Sequence, residues 1–324
     1  MKMRILMRSA WLLAALSLAP ALSVAAGALT ADAKTSPTAD VASKTIVQIR
    51  YVKNTISGVN QADARVALDV LFRRILVRHK PKYEVQMEFL SDQEEALKRC
   101  KARELDFVTL TGLDYLQLRE QGAPIKPIFV SSRMDTPGEQ YMLIVKNGVD
   151  LKKMQGSSPR RVLIEKGGSG AMARIWLDTA LSEQSLPDVS RFFQTVREVD
   201  QASAAVLPVF FGQAEACAVP KSTFETMVEL NPQIGKKLSA LMTSPGFLRN
   251  LGCVRTDLDK ETEKDLLEMS LSMNTEPEGN QILTIFGTKA VFKFEEPYIA
   301  ETKALYQKHK KLKGKTESKN EDGG

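Results

Sequence analysis

A run of small residues, Gly167-Gly168-Ser169-Gly170, lies between a strand-like stretch, Arg161 to Glu165, and a helix-like one, Ala171 to Leu181. Amide N–H groups at a helix start have no intrahelical partner, and the helix dipole favours negative charge there. Glycines let the backbone approach a ligand closely. The turn is a candidate cradle for a phosphate, phosphonate, sulfonate or carboxylate. The competing reading is an ordinary strand-to-helix turn with Ser169 as N-cap.

Enzymatic chemistry finds less support. A G-x-S-x-G nucleophile elbow fails at its fifth position, Ala171, and only His309 follows the serine. A phosphate-binding P-loop fails because Gly170 is followed by Ala171-Met172. No dinucleotide fingerprint stands at this turn. His79 and His309 lie far apart, and no ligand set has zinc spacing. No nucleophile–base or acid–base pair emerges, so the sequence points away from catalysis and calls for no cofactor or metal.

The formal charge of +6 suggests nucleic-acid binding until it is located. Lys2, Arg4 and Arg8 carry part of it, and six lysines after residue 307 carry the rest. Residues 27–307 hold 36 basic and 36 acidic side chains and are neutral. A nucleic-acid footprint would be a basic stripe on the fold itself, so no nucleic-acid partner is expected.

Residues 1–26 combine that positive start with an apolar run, Ala10 to Val24, and small residues after it. This is the pattern of a secretory signal peptide. A membrane anchor is the weaker reading, since a span usually needs about 20 apolar residues. Residues 27–44 are small and polar and read as a flexible leader. The mature chain is expected to be exported, as a monomer, into a periplasm. That compartment is oxidising. Cys100, Cys217 and Cys253 are odd in number, so at least one stays unpaired. Cys217 and Cys253, each in a strand-like run, are candidates for a bridge; Cys100, in a predicted helix, reads as a free thiol. All three unpaired is the alternative.

The elements that must position the turn alternate. Strands are expected at 46–52, 83–89, 107–110, 125–130, 141–146, 161–165, 192–196, 215–219 and 251–255. Helices are expected between them, one starting at the capping box Ser91-Asp92-Gln93-Glu94, others at 222–230, 232–242, 259–273, 278–286 and 296–311. Such alternation implies α/β units with largely parallel sheets. Residues 308–324 read as a disordered, charged tail. Tyr115 and Tyr141 fall at strand or loop edges, where ligands collect in open α/β sheets.

The order of these pieces resembles the phosphate/phosphite/phosphonate-type periplasmic substrate-binding proteins of ABC transporters. The resemblance covers about residues 45–310. It runs through Leu105-Asp106-Phe107-Val108 to Tyr115, Tyr141-Met142-Leu143-Ile144-Val145, Val149-Asp150-Leu151, Gly168-Ser169-Gly170, Asp200 to Ala218, Asn231-Pro232-Gln233 and Ser244-Pro245. It implies a two-lobed α/β fold with a ligand cleft between the lobes. One lobe would hold residues 45–142 plus 246–307 and the other 143–245, with hinge segments near 140–145 and 243–255. It also implies capture of a small anionic ligand, phosphonate- or phosphate-like, and delivery to the membrane permease of an ABC transporter; signalling to a membrane sensor protein is the alternative. The ligand positions carried over are Tyr115, Tyr141 and Ser169, with amides from Gly168 and Gly170, and with Thr111, Asp200 and Glu215 completing the set. The chain departs from the family pattern at Gly167, Val199 and Glu215, where Ser, His and Asp are expected.

Overall fold

The computed structural model describes residues 44–55, 60–156, 158, 160–165 and 170–321. Residues 1–43, read as signal and leader, lie outside them. The chain first alternates β1 (Thr45–Val52), α1 (Gln61–His79), β2 (Tyr83–Leu90), α2 (Gln93–Ala102), β3 (Phe107–Thr111), α3 (Gly112–Glu120) and β4 (Ile125–Ser132). It crosses on β5 (Gly138–Glu139) to β6 (Tyr141–Lys146), α4 (Leu151–Gln155), β7 (Arg161–Glu165), α5 (Gly170–Glu183), α6 (Val189–Phe192) and β8 (Thr195–Val199). α7 (Ala202–Phe211), β9 (Ala216–Pro220), α8 (Lys221–Leu230), α9 (Pro232–Lys237) and β10 (Leu238–Thr243) follow. It returns on β11 (Phe247–Leu248) and ends with β12 (Asn250–Arg255), α10 (Lys260–Ser272), α11 (Pro277–Ile285), β13 (Ala290–Lys293) and α12 (Ala300–Glu321).

Two main sheets result, ordered β13-β4-β12-β3-β1-β2 and β10-β6-β9-β7-β8. Each has helices on both faces, which gives two lobes. In β1, Val47, Ile49 and Tyr51 pack under α1, α10 and α11, while Val52 joins the opposite core with α2 and α3. Lobe 2 divides in the same way, with α5 and α6 on one face and α7, α8 and α9 on the other. Each fully buried aliphatic or aromatic side chain stabilises this arrangement by roughly 1.5–3 kcal/mol.

The parallel expectation holds for one half of each sheet, where β1 pairs with β2 and β3, and β7 with β8 and β9. The other half is antiparallel. β12 enters lobe 1 from the edge at which β3 and β4 finish, so it must run against both.

Four local expectations need correction. Asp92, not Ser91, caps α2: its carboxylate accepts from the Glu95 amide, and Glu95 accepts from the Ser91 amide at 2.8 Å. The strand expected at 192–196 starts at Thr195, because Phe192 and Phe193 close α6 inside the core. The helix expected at 232–242 stops at Lys237, and Leu238–Thr243 instead pairs along β6. Residues 308–321 are helical, within α12. Lys308 reaches Glu183 of α5 at 2.8 Å and Lys310 reaches Glu120 of α3 at 3.0 Å, which ties this helix to both lobes.

Cys217 lies on β9 in lobe 2 and Cys253 on β12 in lobe 1. Both are free and fully buried, so the candidate bridge between them is not formed; Cys100 is also free. Burial pushes the thiols of Cys217 and Cys253 well above the ordinary value.

Candidate functional site

The two sheets present matching edges. β1, β3 and β4 end where β12 begins, since Asn250 pairs with both Thr111 and Ser131. β7, β8 and β9 end where β6 begins, since Tyr141 pairs with Pro220. The β5/β11 ribbon, with Glu139 opposite Phe247, joins these edges. Both edges therefore border one crossover, at the carboxyl ends of the parallel strands, where open α/β sheets bind ligands. The two crossings touch through glycines: a Cβ on Gly138 would lie 3.0 Å from the Gly246 Cα.

Lobe 1 lines its edge with neutral polar groups. The Thr55 hydroxyl donates to the Val52 carbonyl at 2.7 Å and lies 3.2 Å from the Thr109 hydroxyl. Asn250 donates through Nδ2 to the Thr55 carbonyl at 3.2 Å, which turns its buried Oδ1 away with no partner among the described residues. Thr111 caps α3, its hydroxyl accepting from the Asp114 amide at 3.1 Å.

Lobe 2, the crossover and Arg133 just after β4 carry the charge. Glu139, on β5, is 1% exposed, and neither carboxylate oxygen has a hydrogen-bond partner among the described residues. Arg249, just after β11, is 4% exposed. Its Nη1 makes long contacts of 3.4 Å to the Phe286 and Gly287 carbonyls, and its Nε has no partner among the described residues. Glu165 ends β7, and Arg133 follows β4. Burial raises the Glu165 carboxyl above its usual range; Arg133 and Arg249 pull against this, and Glu139 adds to it. Burial also lowers the Arg249 guanidinium and Arg133 lowers it further, while Glu139, Tyr141 and Glu165 pull it back up. These four groups feel one another's fields. Among the described residues, no salt bridge within 4 Å joins them. Guanidinium groups present planar donor forks suited to oxyanions, so the arrangement can hold a small charged molecule.

The expected ligand residues scatter around this centre. Gly168 and Ser169 lie outside the described residues; Gly170 opens α5. Asp200 is exposed and follows β8 at the lobe 2 edge. Thr111 stands at the lobe 1 edge as a helix cap. Tyr141 is at the crossover but 1% exposed, its ring stacked on Phe247 at 6.3 Å, and its amide donates to the Ser244 hydroxyl at 2.8 Å. It packs the crossover and lies within electrostatic reach of Arg249. Tyr115 packs one turn into α3 against the core beside Arg119 and Glu296, and burial pushes its hydroxyl up to about 12. Glu215 precedes β9, at the far edge of lobe 2, where it accepts from the Arg161 amide at 2.6 Å. A residue at the start of a parallel strand lies on the opposite edge from the cleft, so Glu215 is withdrawn from the ligand set. Arg133, Glu139, Glu165 and Arg249 were missed. Their only sequence signal is charge beside glycine-marked crossings, in Gly138-Glu139 and in Gly246 to Arg249.

Among the described residues, no three or more His, Cys, Asp and Glu converge as metal ligands, and no helix is long and apolar enough to cross a membrane. No curated protein sequence matches the chain. Solved structures do share its fold. A binding-protein component of an ABC phosphonate transporter from Pseudomonas aeruginosa is 12% identical, with a TM-score of 0.57 over 82% of this chain and 87% of that one. PhnD1 from Prochlorococcus marinus, in complex with methylphosphonate, is 18% identical, with a TM-score of 0.56 over 82% and 98%. A Xanthomonas citri protein bound to chloride ion is 13% identical, with a TM-score of 0.61 over 83% and 99%. The family model for the phosphonate periplasmic substrate-binding protein of ABC transporters matches residues 70–296. Together with the two-lobed fold and its crossover site, that match makes this chain a member of the phosphonate-type periplasmic substrate-binding proteins, with a solute-binding role in transport.

Proposed function

We propose that the chain captures a small oxyanion of the phosphonate class between its lobes and delivers it to an ABC permease. Export by its N-terminal signal peptide would place it, as a monomer, on the periplasmic side. Closure would bend the β5/β11 ribbon, where the chain crosses between lobes, as in hinged domain closure. Arg249 carries this reading. A guanidinium buried at the crossover, with an unused donor at Nε, costs stability unless an anion pairs with it. Arg133 adds a second positive charge within electrostatic reach. The amides that open α5, with Gly168, Ser169 and Gly170, would complete the cradle from lobe 2, and Asp200 would border it.

Calorimetric titration of the exported protein with phosphate and methylphosphonate tests this. Wild type should bind at one site. Arg249→Gln should weaken binding about 30-fold or more, since truncating one partner of a buried charge pair costs roughly 2–5 kcal/mol. No binding by either anion, or equal affinity in a folded Arg249→Gln protein, would overturn the reading.

A further inference from the structure

Beneath the lobe 1 edge, the sheet and the helices α1, α10 and α11 enclose a cavity of about 50 Å³. Its wall is apolar: Phe72, Phe107, Phe129, Met273, Ile282 and Phe286 line it. Its rim is polar and belongs to the cleft edge, with Thr55, Thr109, Ser131 and Asn250. The wall is stiffened by ring stacking, Phe107 on Phe129 at 5.8 Å and Tyr51 on Phe286 at 5.4 Å. Phe129 lies flat over β12 because position 252 is glycine, where a Cβ would come within 2.1 Å of the ring.

We propose that this cavity is an alkyl subsite, which takes the short apolar substituent of the oxyanion held at the crossover. The proposal rests on the capture reading above. Three observations carry it. First, the cavity meets the charge cluster: Arg249 directly precedes Asn250 of the rim and donates to the carbonyl of Phe286 in the wall. Second, Asn250 Oδ1 is buried at the rim with no partner among the described residues, an acceptor suited to a ligand donor such as a protonated phosphonate oxygen. Third, the volume fits a chain of a few carbons. It exceeds the ~10–15 Å³ that one water needs and falls short of the ~150 Å³ of a cavity that binds benzene. An apolar cavity gains little from water, so each methylene of a ligand that enters it should tighten binding about fourfold, the equivalent of ~0.8 kcal/mol. The chain therefore selects short-chain alkyl oxyanions over inorganic ones.

Titration with phosphate, methylphosphonate, n-propylphosphonate and phenylphosphonate reads the preference, and xenon-pressurised crystals read the cavity without any head group. n-Propylphosphonate should bind about ten-fold or more tighter than methylphosphonate, with phenylphosphonate weaker than n-propyl. Ser270→Val, which narrows the cavity, should erase this difference. Ser270 lines the cavity and its hydroxyl bonds only its own helix, at the Leu266 carbonyl, among the described residues. If that variant does not fold, Ile282→Ala should shift the preference towards longer chains. Equal affinity across the series would overturn the subsite and leave the capture reading standing. If no oxyanion binds, the capture reading falls and the subsite falls with it. Where oxyanions bind, a xenon atom between Phe107, Phe129 and Phe286 that is lost in Ser270→Val supports the subsite, and no xenon there overturns it.

Discussion

The two lobes meet the crossover with opposite chemistry. Lobe 1 offers threonine and serine hydroxyls and an amide above an apolar cavity. The lobe 2 edge offers Glu165, Asp200 and Lys221, and the crossover adds Arg249 and Glu139. The contrast follows from how each edge is built. In lobe 1, Thr55 and Thr111 spend their hydroxyls on the backbone, one closing a turn and one capping a helix. In lobe 2 the strand ends carry long charged side chains, and Lys221 and Gln140 bridge the edge at 3.3 Å. Lobe 1 is suited to read shape, and charge is read where Arg133, the crossover and the lobe 2 edge meet. A ligand with a charged head and a short apolar tail satisfies both.

Three variants sharpen or break this contrast. The largest effect on stability is expected from Glu139→Gln. Its carboxylate is buried with no hydrogen-bond partner among the described residues, so an isosteric amide, which has no charge to desolvate, should stabilise the free protein by about 1–3 kcal/mol. Urea unfolding would show a raised midpoint; a lowered midpoint would mean that Glu139 is compensated after all. A smaller, pH-dependent effect belongs to Glu165, whose carboxyl is raised by burial. A raised acid favours folding in its protonated form, so its contribution is fully present below about 4.3, the unfolded value, and is lost as pH rises through the folded value. An anion prefers the same protonated form. Methylphosphonate affinity should therefore fall severalfold across this range as pH rises, and Glu165→Gln should flatten the profile. An unchanged slope in that variant would detach Glu165 from the site. The smallest effect on binding is expected from Glu215→Gln. It should cost roughly 0.5–1.5 kcal/mol of stability by weakening the bond to the Arg161 amide, and leave affinity within about twofold by titration. A large loss of affinity would move the site to the far edge of lobe 2.

Much of the fold is legible in the chain. β1, β2 and β7 announce themselves by alternation or apolar run, and α2 by its cap. What escapes is set by distant partners. Leu238–Thr243 has the composition of a helix and becomes a strand because β6 offers a free edge. β13 is short, and β4 completes it. The tail looks solvated, but α5 holds its Lys308 and α3 its Lys310. The site is legible only in outline. The family pattern leads to the crossover edges at Thr111, Tyr141 and Asp200, but not to the side chains that are buried there. Glu139 and Arg249 differ from dozens of surface charges only by burial, and burial at a crossover is a property of two chain segments more than a hundred residues apart. Glu215 and Tyr115 mislead for the same reason: a motif gives a position along a strand or helix, and only the sheet says which edge or face that is.

The most direct measurement is a crystal structure of the exported protein with n-propylphosphonate. The phosphonate oxygens are expected on Arg249 and at the start of α5, with the propyl chain below the Asn250 rim among Phe107, Phe129 and Phe286. A ligand bound elsewhere, or one bound at the crossover with its propyl chain directed to solvent, would contradict the division of labour between the lobes.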